Sequence, residues 1–326
     1  DVFHYKNYNV GKYRFSFLNS PKRLSRTNFQ QGMAAIKFFR DIKKVDIEDI
    51  KLLTFGEFLE SWPSTNRSFV DGVLMPMLAT ICTCNYDNIK QYPAHIIIGY
   101  LTCGVANEGV WKATHGVADI VAKITQGYEV KSHCQITNIT SSGTAVDIAL
   151  ESGEEFIFDQ VVVATQPQHA GPMIAKDQPA LAHHFQQIDF ATSNMVVHRD
   201  SSIYPRPWHQ ISPVCYSVNP NHQRPMATVC LNKSMPTVKD CLPVFQTWHP
   251  TQTINPDTVL ASVTFERPII SFESLNHIQE IKKSMQKDNN RIWFCGSYLG
   301  DGIPLLEAGV RSSLAVANDL GVKTPW

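Results

Sequence analysis

At Tyr128 the hydrophobic pattern of this chain changes period, and that change restricts the folds open to it. Before it, apolar residues recur at helical spacing through "NFQQGMAAIKFFRDIKKV", "FVDGVLMPMLATICTC", "IKQYPAHIIIGYLTCGV" and "THGVADIVAKITQG". "TFGEFLESW" opens on Thr54 with Glu57 three residues on, the spacing of a capping box. Thr114 and Gly127 bound the last of these helices as cap and stop. Only "KYRFSFLN", near the start, alternates like a strand.

From Tyr128 the period is two: "YEVKSHCQITNITSS", a turn at Gly143, "TAVDIALESGEE" and "FIFDQVVVATQP". A helical stretch near 178–188 follows. "NMVVHRD", "PVCYSVN", "MATVCLN", "VFQTWHP" and "VLASVTFERP" then form strands divided by Pro- and Asn-rich turns. A helix near 274–287 leads into "RIWFCGSYLGDGIPLLEAGVRSSLAVANDL", which reads as a buried strand, a glycine-rich turn and an amphipathic helix. The expected class is α/β, with α+β character in the run of consecutive strands. "DQVVVAT" is a continuous apolar run ending in small and polar residues. Such a run suits a strand buried on both faces whose carboxyl end opens onto a cleft.

With 326 residues, 43% of them hydrophobic, the chain can fill two domains or one large domain with an inserted lobe. Lysines and arginines balance aspartates and glutamates at 29 each, so no bulk field recruits nucleic acid. The longest apolar runs are too short and too interrupted for a membrane span. Eight cysteines lie mostly in apolar stretches without the rhythm of a disulfide framework, which fits a reducing cytoplasm. Cys82-x-Cys84 has the wrong spacing for zinc, and His183-His184 has no third ligand near it in sequence, so no metal is expected. Neither a nucleophile elbow nor a phosphate loop of the Walker type occurs.

Four stretches, in order, resemble the flavin-containing amine oxidase superfamily, and within it the bacterial predicted NAD/FAD-binding oxidoreductase group. They are "LTFGEFLESWPSTNRSFVDGVLMPMLATICTCNYDNIKQYPA", "VWKATHGVADIVAKITQGYEVKSHCQITNI", "FDQVVVATQPQHA" and "WFCGSYLGDGIPLLEAGVRSSLAVAN". The resemblance implies a two-domain oxidoreductase with FAD in a partial Rossmann-like domain, a helical lobe and a mostly antiparallel substrate-domain sheet. Its segments would be 1–127 (helical lobe and start of the substrate domain), 128–190 with 288–326 (FAD-binding domain, incomplete) and 191–287 (substrate-domain sheet).

By the same resemblance, the cofactor would meet Ile136, Ala164, Thr165, Gly296 and Ser297, with Leu305, Leu306 and Glu307 offering backbone N–H groups at a helix start. Many relatives carry an acidic residue where Ser297 stands. Trp111, His198, Trp208 and Tyr216 are the candidates on the substrate side. Hydride would pass from an amine, or from an apolar and lipid-like substrate, to flavin N5. The dedicated acid or base is not readable.

One element of the pattern is missing. A strand–GxGxxG–helix unit occurs nowhere in these residues. The family places it upstream of anything like Asp1, so a preceding segment on the order of 70–90 residues, or a partner, is expected to supply it. The alternative is a cofactor-free remnant that acts as a binding or scaffold protein.

Overall fold

The computed structural model describes residues 5–10, 13–18, 26–62, 66–103, 113–204, 207–208, 212–219 and 221–324. The chain divides into two compact units, Asp1–Glu108 with Phe190–Arg267 and Gly109–Asp189 with Pro268–Trp326. Each unit is therefore assembled from two separate stretches.

The first stretch opens with a hairpin, β1 (Tyr5–Val10) against β2 (Tyr13–Leu18). Helices follow: α1 (Arg26–Asp41), α2 (Phe55–Ser61), α3 (Arg67–Phe69), a π-helical turn Val70–Leu74, α4 (Met75–Ile81), α5 (Tyr86–Gln91) and α6 (Ala94–Thr102). The second stretch carries α7 (Val117–Ile124), β3 (Ile136–Ser141), β4 (Val146–Leu150), β5 (Glu155–Phe158), β6 (Val161–Val163), α8 (Pro167–Ile174) and α9 (Pro179–Gln186). The third runs through β7 (Phe190–His198), β8 (Val214–Ser217), β9 (Met226–Cys230), α10 (Leu231–Ser234), β10 (Phe245–Trp248) and β11 (Val259–Pro268). The last holds α11 (Phe272–Met285), β12 (Ile292–Phe294) and α12 (Leu306–Asp319).

In the first unit the lobe helices form because their apolar stripes converge on an aromatic core. Phe55 and Phe58 stack, Phe58 meets Trp62 at 4.9 Å, and Phe38 packs on Phe69 at 5.6 Å. The capping box is formed: the Glu57 amide donates to Thr54 Oγ1 (3.2 Å), and Glu57 Oε2 accepts from the Thr54 amide (2.8 Å). Thr54→Ala should cost about 1 kcal/mol, a fall of roughly 2–4 °C in a thermal melt followed by circular dichroism. Five strands of the same unit make one sheet in the order β11-β7-β10-β9-β8. The pairs β7–β10, β10–β9 and β9–β8 are antiparallel, as the alternating sequence and Pro-rich turns predict.

The second unit has a three-stranded antiparallel sheet, β3-β4-β5, and a parallel pair, β6 with β12. Its core gathers Phe185, Ile281, Ile292 and Phe294, all nearly solvent-free. α8 packs on α9 at Gly171, where an added Cβ would lie 3.1 Å from Phe185 Cβ and 3.2 Å from the Ala182 carbonyl.

The strand expected from Tyr128 begins only at Ile136. Tyr128 and Val130 are 75% and 66% exposed, so the alternation there has no sheet to bury against, and His133 takes φ +60. α8 follows β6 directly, with Pro167 at the first helical position, which tolerates proline.

Candidate functional site

β6 and β12 pair in parallel, Val161 with Ile292, Val162 with Trp293 and Val163 with Phe294. The Val161 amide donates to the Arg291 carbonyl (2.9 Å) and the Cys295 amide to the Val163 carbonyl (3.1 Å). Both carboxyl ends therefore open at one end of the pair, with Ala164-Thr165 next to Gly296-Ser297. Because residues along a parallel strand alternate the side to which they bond, the peptide groups of Val162 face away from β12. Among the described residues β6 pairs with β12 alone.

Gly296 is required by its surroundings. It takes φ +153, and a Cβ there would stand 2.7 Å from the Tyr298 ring and 3.8 Å from the Thr165 carbonyl. α12 lies against this turn. Ser312 Oγ accepts from the Gly296 amide (2.9 Å) and donates to the carbonyl of Gly296 or Gly309, each at 2.9 Å. An added Cβ on Gly309 would be 3.7 Å from the Ser297 amide, and one on Gly300 would collide with the Ala308 carbonyl.

The start of α12 is open. Leu305 is the N-cap and offers no side-chain acceptor, and the Gly309 amide makes the first helical bond, to the Leu305 carbonyl (3.2 Å). The N–H groups of Leu306, Glu307 and Ala308 thus have no helical carbonyl to bond, and the positive end of the helix dipole coincides with them. Leu306 is 86% exposed, and Glu307 bends back to Arg311 (2.9 Å). Two buried hydroxyls of this corner, Thr165 Oγ1 and the Tyr298 phenol, have no partner among the described residues. Burial pushes the Tyr298 pKa well up, helped by Cys295 beside it.

Ile136 begins β3, half-buried and paired with Leu150. Arg291 donates to the Gly143 carbonyl (2.9 Å) and the Asp159 carbonyl (3.0 Å), tying the turn after β3 to the chain entering β6. Ile136 is consequently at the end of its strand remote from that tie. Ala164, Thr165, Gly296, Ser297, Leu305, Leu306 and Glu307 come together in one corner of the second unit.

Of the substrate-side candidates, His198, Trp208 and Tyr216 lie in the first unit and do not form one open site. His198 is fully buried: its Nε2 bonds Thr247 Oγ1 (2.8 Å), which meets Thr228 Oγ1 (3.0 Å), and its Nδ1 accepts from the Asp200 amide (3.2 Å). Accepting at Nδ1 makes Nε2 the protonated nitrogen of a neutral ring, and burial lowers the His198 pKa accordingly. Trp208 packs on the buried pair Cys230 and Phe245. Tyr216 sits on the edge strand β8, 40% exposed. Trp111 lies outside the described residues.

Sequence reasoning missed a second polar pocket in this unit. Ser193 Oγ meets His249 Nε2 at 2.7 Å, and His249 is held at φ +50 and kept neutral by burial, its pKa lowered to about 4. A cavity of about 10 Å³ beside them is lined by Thr83, Ser193, Trp248 and His249 among others, room for about one water. Sequence carries no sign of this pair, since the two residues are 56 apart. Ser312, also missed, was findable as the polar residue on the helical face shared by Ala308 and Val316.

The family model for flavin containing amine oxidoreductases matches residues 7–210. No curated protein matches. Among solved structures the chain is similar to the CLA-producing fatty acid isomerase from P. acnes, at 14% identity over 94% of this chain and 78% of that one, with a TM-score of 0.60. It is similar to putrescine oxidase bound to putrescine at 9% identity over 98% and 81%, with a TM-score of 0.62. Cyclohexylamine oxidase from Brevibacterium oxydans gives 10% identity over 97% and 81%, with a TM-score of 0.50. At such identities the likeness is one of fold.

Proposed function

Since the chain belongs to the flavin-containing amine oxidoreductases, enzymes that use FAD, we propose that the corner at Gly296 and the start of α12 is the isoalloxazine-side half of its FAD site. One observation carries the reading: buried Thr165 Oγ1 without a partner among the described residues, in the same corner as three helix N–H groups that have no helical carbonyl to bond. Residues of this kind fit an oxygen-rich, partly anionic group. The glycines at 296 and 309 leave room for it to approach backbone. Ala164, Thr165, Gly296 and Ser297 would hold the ribityl-phosphate side, Leu305 to Glu307 the pyrimidine edge of the ring, and Ile136 the adenine. In domain terms, the second unit holds FAD and the first binds substrate.

FAD, when bound, supplies the acceptor for a hydride taken from the substrate. The protein's part is to orient and to stabilise charge: the N–H groups of Leu306, Glu307 and Ala308 at the positive end of α12 favour negative charge placed next to them. Ser312 holds Gly296 in place for that approach. Glu307, paired with Arg311, keeps its carboxylate turned along the helix surface.

We assign the substrate to the apolar, lipid-like class. Val259, Val263 and Phe265 stand exposed on one face of β11, with Trp248 packed on Phe265 at 5.4 Å. The similarity to a fatty acid isomerase agrees with that choice, and the putrescine and cyclohexylamine oxidases keep an amine as the second class. His198, whose ring nitrogens are both engaged, contributes by fixing the sheet. A cytoplasmic setting is in keeping with eight free cysteines, and no helix among the described residues is long and apolar enough to cross a membrane.

The GxGxxG unit would add its strand along Val162, whose peptide groups face away from β12 and whose side chain is 44% exposed. The purified protein should be yellow, with flavin absorbance bands that weaken in Thr165→Val, a change of nearly the same shape that removes the buried hydroxyl without a partner and leaves the protein folded. A colourless product that excess FAD does not turn yellow overturns the proposal and favours the cofactor-free binding protein, which the missing GxGxxG sequence otherwise supports.

A further inference from the structure

In the second unit α9 and α11 are joined by two imidazoles. His184 Nδ1 and His277 Nδ1 lie 2.9 Å apart across 93 residues of sequence, with ring centroids 5.2 Å apart. Such a contact holds while one proton lies between the rings, one nitrogen donating and the other offering its lone pair. His183 stands next to the pair, its ring 6.1 Å from His184 and 6.4 Å from His277.

The groups that act on His184 are His277 and Glu280 from α11 and His183 from α9; α8, also packed on α9, contributes none among the described residues. Glu280, whose carboxylate favours a proton on His184, is itself held by Lys283 at 2.6 Å, and that ammonium offsets part of its field. Beside His184 in sequence, Phe185 is fully buried, 4.8 Å from Phe294 and 6.3 Å from Tyr298, the ring that abuts Gly296. The last turn of α9 therefore carries both the histidine contact and the support for the β12 turn.

We propose that the His184–His277 pair is a pH-sensitive latch, closed at neutral pH, whose release on acidification frees α9 from α11 and loosens the packing beneath Gly296. A second proton at this contact removes the accepting lone pair, so that two N–H groups face each other and the protonated ring has no acceptor opposite it. Burial, then His277, lowers the pKa of His184 in the folded protein. The open state therefore takes up the proton first. The latch's contribution is complete above the ordinary histidine pKa of about 6.5 and is lost as the pH falls below it.

Amide hydrogen exchange on the full-length protein, at about pH 7.5 and about pH 5.5 and corrected for intrinsic rates, tests this. Peptides covering residues 179–186 should open roughly threefold or more at the lower pH, while peptides from β7 and β10 change little. His184→Gln and His277→Gln each keep a hydrogen-bonding amide that does not titrate, so either should flatten the response. His183→Gln should leave most of it. Wild-type protein without the excess opening in 179–186, or an undiminished response in both glutamine variants, overturns the latch.

Discussion

Gly300→Ala is expected to destabilise the second unit by about 3 kcal/mol, a fall of roughly 6–12 °C in its melting temperature. The added methyl would occupy the space of the Ala308 carbonyl, which belongs to the first turn of α12. Backbone, unlike a long side chain, cannot swing aside; α12 must move as a body, and Ser312 then loses Gly296. Flavin content should fall with stability in the same preparation. Gly32→Ala is the control. That glycine lies inside α1 with nothing within 4 Å of an added Cβ, so alanine there should raise stability by up to about 1 kcal/mol. Equal effects in the two variants would show that contact with Ala308 is not what makes Gly300 a glycine.

The second large effect is expected at Asn232. Its side chain is 6% exposed and spans the loop between β9 and β10: Nδ2 donates to the carbonyls of Val238 (2.8 Å), Cys241 (3.0 Å) and Leu242 (3.3 Å), and Oδ1 accepts from the Val244 amide (2.7 Å). Asn232→Ala strands those groups in a nearly dry site and should cost about 2–4 kcal/mol by urea denaturation. Asn232→Asp should cost more, although it is almost the same shape, because a carboxylate would face carbonyl oxygens. An aspartate variant as stable as wild type would mean that water, not Asn232, satisfies this loop.

Asn232 also shows what the sequence leaves unread. In "CLNKSMP" nothing sets it apart from any polar residue after a strand, whereas the fold uses it as a staple. The legible parts depend on neighbours close in sequence: the Thr54–Glu57 box, the apolar run ending at Val163, the strands of the five-stranded sheet and the glycine-rich entry to α12. The illegible parts depend on remote partners. Thr165 looks like any small residue at a strand end until burial leaves its hydroxyl without a partner. His183-His184 lacks a third histidine in sequence until α11 brings His277 alongside. The alternation at Tyr128 and Val130 misleads for the opposite reason, since no sheet among the described residues buries it.

The interleaving of the two units has a consequence for how the protein is made. The ribosome releases the first stretch, then the whole segment 109–189 of the other unit, before β7 to β11 emerge to complete the first unit. β6 waits longer still, for β12 near the carboxyl terminus. At about 5–20 residues per second its three valines spend on the order of ten seconds with the β12-facing edge open on a nascent chain. Speed of elongation and the supply of holding chaperones should therefore govern the yield of soluble protein more strongly than the stability of the finished fold does.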